Sequence, residues 1–78
     1  MTVSFDEVLV CGTRDVLFEN NKYYSFDVYQ DGMLYRISIS EKDIDNIVDH
    51  VGEYVSFYAD LKVFNGKSKF KFKFYKEN

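Results

Sequence analysis

Residues 64 to 75 read FNGKSKFKFKFY, setting Lys69, Lys71 and Lys73 in strict alternation with Phe70, Phe72 and Phe74. Two kinds of chemistry suit these residue types. Ammonium groups neutralise phosphates and release their counterions, and aromatic rings stack on any base. Alternation with a period of two sends rings and lysines to opposite faces of a strand. The rings are therefore expected in a core, opposite Phe57, Ala59 and Leu61, with the lysines outside. Alternate lysines also serve plain solvation and edge protection. Their company favours a ligand. Residues 1 to 61 hold Arg14, Lys22, Arg36 and Lys42 against twelve carboxylates, a balance of −8, whereas residues 62 to 78 hold six lysines against Glu77, a balance of +5. Such a split makes a dipolar surface with one basic patch, formed by Lys62, Lys67, Lys69, Lys71, Lys73 and Lys76.

Other reactive residue types offer less. One His and one Cys cannot supply a Ser–His–Asp or Cys–His arrangement, and no glycine loop cradles a phosphate. Cys11 lies in an apolar run and reads as a small buried hydrophobe, and a single cysteine, unable to form an internal disulfide, fits a reducing compartment. His50 falls near a helix end, where the dipole accounts for it. Asp43, Asp45 and Asp49 lack the glycine and the closing glutamate of a calcium loop. No enzyme activity, metal or cofactor is expected. No apolar run is long enough to span a bilayer and no basic-then-apolar leader begins at Met1, so the expectation is a cytoplasmic protein with no membrane partner.

The elements that must position the basic patch are legible from turns. Asp31-Gly32 and Asn65-Gly66 each separate two alternating, β-rich runs, the signature of a two-residue hairpin turn. The first hairpin then pairs Val28 with Tyr35, Phe26 with Ile37 and Tyr24 with Ile39 inside. Outside it pairs Tyr29 with Leu34, Asp27 with Arg36 and Ser25 with Ser38. The second pairs Leu61 with Phe70, Ala59 with Phe72 and Phe57 with Phe74 inside. Its outer pairs are Asp60 with Lys71, Tyr58 with Lys73 and Lys62 with Lys69. Between the hairpins, SEKDIDNIVDHVG predicts a short helix capped by Ser40, with Asp43 at the third position and Gly52 after the last turn. Its apolar stripe is Ile44, Ile47, Val48 and Val51. The first segment predicts a long strand bent at Gly12, followed by a loop around Glu19 to Lys22. Seventy-eight residues read as one domain, 1 to 78, small enough that eight Phe and seven Tyr must supply much of its core.

The order β-β-β-α-β-β, with Gly12, Asp31-Gly32, a helix ending at Gly52 and FNGK at 64 to 67, resembles the OB-fold. The predicted class is thus all-β with one helix, a five-stranded OB-fold-like barrel. Together these cues look like the small single-stranded-DNA-binding proteins of phages, plasmids and other mobile elements. In that fold, oligonucleotides lie across strands two and three between two flanking loops. The resemblance, joined to the basic patch and the outward tyrosines, leads to a nucleic-acid site drawn from Lys22, Tyr23, Tyr29, Arg36, Tyr58, Lys62, Phe64, Lys67, Lys69, Lys71 and Lys73. The implied partner is single-stranded DNA or RNA, in a setting such as DNA replication. Two alternatives stand beside it: an accessory subunit docking on a replication or DNA-transfer enzyme, and a homodimer through the aromatics of strand four.

Overall fold

The computed structural model describes residues 1–77. Its elements run β1 (Thr2–Phe18), β2 (Asn21–Gln30), β3 (Met33–Ile39), α1 (Glu41–Val48), β4 (Tyr54–Phe64) and β5 (Lys67–Tyr75). The strands close in the order β1-β2-β3-β5-β4. Every neighbouring pair is antiparallel except β3 and β5, which run parallel and pair Ile37 with Phe70 and Ser38 with Lys71. This is a closed five-strand barrel with one helix, consistent with the OB-fold-like class that the element order predicts.

Hairpin chemistry sets most of the register. Asp31 and Gly32 have φ of 51° and 84°, and Asn65 and Gly66 have 51° and 77°. Positive φ at both central positions is the requirement that Asx-Gly meets at little strain. The β2–β3 pairs all fall as expected. Phe5, Val8, Val10, Phe26, Val28, Ile37, Ile39, Ile44, Ile47, Phe57 and Ala59 form the core, and among the described residues no charged or polar one is buried with them. Aromatic contacts knit it together: Phe5 stacks on Phe57 at 4.9 Å, and Phe26 meets Phe57 edge-on at 5.5 Å. Such pairs add roughly 0.5–1.5 kcal/mol beyond the area they bury.

Several expectations are corrected. The β4–β5 register slips between Tyr58 and Ala59, so that Tyr58 pairs with Phe74 and Phe57 with Tyr75. Lys73 is the extra residue of a bulge. Phe74 consequently points outward at 55 % exposure, and Tyr75 takes the inward place. Alternation alone does not reveal the slip, because an inserted residue reverses parity only beyond itself. A similar irregularity between Val10 and Gly12 leaves Cys11 exposed instead of buried, and β1 has a second one between Phe5 and Val8. The expected loop at Glu19 to Lys22 is a third tight turn with positive φ at Glu19 and Asn20, and Lys22 already belongs to β2. Glu-Asn lacks the glycine by which such turns are recognised. Ser40 occupies the N-cap position, but its hydroxyl donates to the Asp43 carboxylate at 2.9 Å and not to a backbone acceptor, nor does it accept from the first-turn amides. The helix ends at Val48, leaving Val48 and Val51 exposed. His50 lies beyond its end, with Nδ1 3.3 Å from Glu53 and its ring against Tyr75.

Candidate nucleic-acid interface

The β1–β2 and β4–β5 hairpins run past the barrel as two arms, with Val16, Leu17 and Phe18 exposed on one and Val63 and Phe64 on the other. Between the arms, on the outer wall, lies an open groove of about 600 Å³. Its positive lining comes from all five strands. β1 supplies Arg14, β2 Lys22, β3 Arg36, β4 Lys62, and β5 Lys69 and Lys71, while Glu41 at the start of α1 is the one carboxylate of the lining. Tyr23, Tyr24, Val16, Ser25 and Ser38 add to its walls, and Ile39 and Ser40 complete them. Period-two geometry explains the gathering. Arg14 stands opposite Ser25, Ser25 opposite Ser38, and Ser38 beside Lys71, so one row of outward residues crosses four strands.

Electrostatics within the row are uneven. Asp27 accepts from Arg14 Nη2 at 3.0 Å and from Arg36 Nε at 3.4 Å, so one carboxylate holds two guanidinium groups. Lys22 reaches Asp15 at 3.5 Å. Lys62 and Lys69 face each other directly across the hairpin. Asp60 stands opposite Lys71, yet its carboxylate contacts Lys73 at 3.7 Å and the Thr2 hydroxyl at 3.4 Å. Lys62, Lys69 and Lys71 have no carboxylate within ion-pair distance among the described residues. Like charges directly opposite each other destabilise a strand pair. An anion placed between them would relieve that repulsion.

Of the residues expected at a site, Lys22, Tyr23, Arg36, Lys62, Lys69 and Lys71 come together in the groove. Five others stand elsewhere. Phe64 and Lys67 pair at the tip of the second arm. Tyr29 lies further along the wall beside Leu34. Lys73 leans on Thr2 and Asp60. Tyr58 is flanked by the Phe74 ring at 5.3 Å and the Lys76 ammonium at 5.0 Å from its ring centre. Arg14 and Tyr24 belong to the groove although sequence reasoning did not name them. The hairpin at Glu19-Asn20, once recognised, would have placed Arg14 opposite Ser25 and revealed it. Among the described residues, no group of three or more His, Cys, Asp or Glu could hold a metal ion, and no helix is long and apolar enough to cross a membrane. Comparison of the chain with protein-family models, curated proteins and solved structures found no match.

Proposed function

We propose that this chain is a non-catalytic, cytoplasmic module that binds single-stranded nucleic acid, DNA by preference, with little dependence on sequence. The observation that carries this reading is the groove itself, where six cationic side chains meet one carboxylate and two tyrosines. Phosphates would lie along Lys62, Lys69, Lys71 and Arg36, with Tyr23 offered for stacking. An open trough suits an extended strand better than a compact metabolite, which is usually enclosed on most sides. Phosphate neutralisation without base-edge partners gives affinity that ignores sequence and falls steeply with salt.

The test is fluorescence anisotropy with labelled oligo-dT, oligo-rU and a duplex control at two salt concentrations. With about four phosphates neutralised, log K should fall with log salt at a slope near −3, from about −0.7 per contact on single strands. Replacing Lys69→Glu together with Lys71→Glu should lower affinity at least tenfold in low salt. Absence of any anisotropy change at micromolar protein would sink the proposal.

An accessory role is the second reading, favoured by α1, whose exposed Val48 lies among Glu41, Asp45 and Asp49. In that case the isolated chain leaves oligonucleotides unbound and co-purifies with a partner enzyme, and Val48→Asp abolishes the association.

A further inference from the structure

Four outward side chains at the end of the wall remote from the arms lie in one line across four strands. Leu34 pairs with Tyr29, Tyr29 with Leu9, and Leu9 with Tyr54. Directly opposed residues of an antiparallel pair hold their Cβ atoms about 5 Å apart, so this row is continuous. It is also open, with Leu34 and Tyr54 each 66 % exposed. The charged residues flanking it in the chain include Glu7, Asp31 and Glu53, and Arg36, two residues from Leu34, is already held by Asp27. The tip of the second arm has the opposite character. Val63 and Phe64, at 69 % and 75 % exposure, stand between Lys62 and Lys67, and residues 61 to 76 contain no carboxylate.

We infer that the apolar, acid-flanked row of one copy receives the apolar, basic arm tip of the next copy, joining chains head to tail. The two surfaces complement each other in charge, and each lacks an apolar cover of its own. They cannot meet within one chain. Tyr54 and Phe64 are the two ends of β4, about 33 Å apart at roughly 3.3 Å per residue, close to the full 37 Å length of the molecule. A contact between unlike surfaces at opposite ends leaves one of each free in a pair of copies, so it propagates into longer chains or a ring of several copies. With only two or three anchors a side, it belongs among small, transient interfaces.

Sedimentation equilibrium of the full chain without nucleic acid tests this inference independently of any ligand. Between about 10 µM and 1 mM, the range expected of a small interface, the average mass should climb past that of two copies. The climb should weaken several-fold in high salt. Phe64→Asp and Leu34→Asp should each sediment as the 9.3 kDa single chain with unchanged circular dichroism. An equimolar mixture of the two should form a two-copy species and stop there, because one intact arm and one intact row remain. Tyr54→Asp replaces Leu34→Asp if the latter unfolds. A wild-type chain that stays monomeric throughout, or a two-copy plateau in the wild type, overturns the inference, as does a mixture that fails to pair.

Discussion

Tyr75 and Asp27 are the two residues whose surroundings make the firmest claims. The Tyr75 hydroxyl is shut off from solvent with no hydrogen-bond partner among the described residues, although its ring packs usefully against Phe72 and His50. Burial first, and the Asp43 charge second, push its pKa up to about 12 from the ordinary 10. A folded pKa above the unfolded one means the contribution to stability is complete below pH 10 and is lost as pH rises through 12. Tyr75→Phe should therefore flatten the alkaline limb of a stability-versus-pH curve between those values. At neutral pH it should leave stability equal or raise it by up to about 1 kcal/mol, since an unpaired buried hydroxyl is a cost. Denaturant melts at pH 7, 10 and 12 would measure both effects. Asp27 poses a different question, because one carboxylate restrains two of the groove's cations. Asp27→Asn keeps the shape and removes the charge. Affinity for a single-stranded oligonucleotide in low salt should rise about two- to five-fold, because each added positive contact steepens the electrostatic term. Anisotropy titrations of the two proteins side by side give the answer. Asp6 completes the set: the Lys76 hydrogen bond holds its carboxyl below the usual value, so that pair helps at neutral pH and is lost as pH falls through the lowered value.

At the level of elements, what could be read from the chain depended on whether the information was local. The β2–β3 hairpin was legible down to each pair, because Asp31-Gly32 fixes the turn and seven residues of unbroken alternation follow it. The β4–β5 hairpin was legible as far as Ala59 and Phe72, where Lys73 bulges out. Nothing in FKFKFKFY marks that site. Phe74 and Tyr75 both suit a core by type, and it is Tyr75 that stands opposite Phe57 and packs on Phe72 and His50. The β1–β2 turn is not legible in the chain, because Glu19 and Asn20 adopt left-handed conformations without a glycine to announce them. Helix α1 was placed correctly, yet its stripe was over-counted. Eight residues expose two turns to the barrel, enough to bury Ile44 and Ile47 and no more.

The whole molecule contributes what no single element carries. The groove exists because β3 and β5 pair in parallel at Ser38 and Lys71, residues 33 positions apart in the chain. That contact brings Lys69 and Lys71 of the last strand, with Lys62 beside them, to the wall that carries Arg36, so that half of the six lysines of residues 62 to 78 act as a local field. Six of the eleven residues expected at a site meet there: Tyr23, Arg36, Lys62, Lys69 and Lys71 are outward on strands that barrel closure makes adjacent, and Lys22 reaches in from the exposed start of β2. The remaining five were chosen by type and parity, and closure sends them to the arm tip or around the wall. The extra lysine in the final strand has an unexpected bearing on how this barrel tolerates changes in chain length. Shortening a strand by one residue normally turns its remaining side chains inside out. Here, excising Lys73 would bring Phe72, Phe74 and Tyr75 into plain succession opposite Ala59, Tyr58 and Phe57, each on the side it already occupies. Excising Lys71 would instead set Phe72 opposite Asp60 and Lys73 opposite Ala59, turning a core ring out and a lysine in. Thermal melts of the two single-residue deletions should differ accordingly, the first staying close to the parent and the second losing cooperative unfolding. The last strand thus carries a spare link, at which its length can drift by one without disturbing the interior.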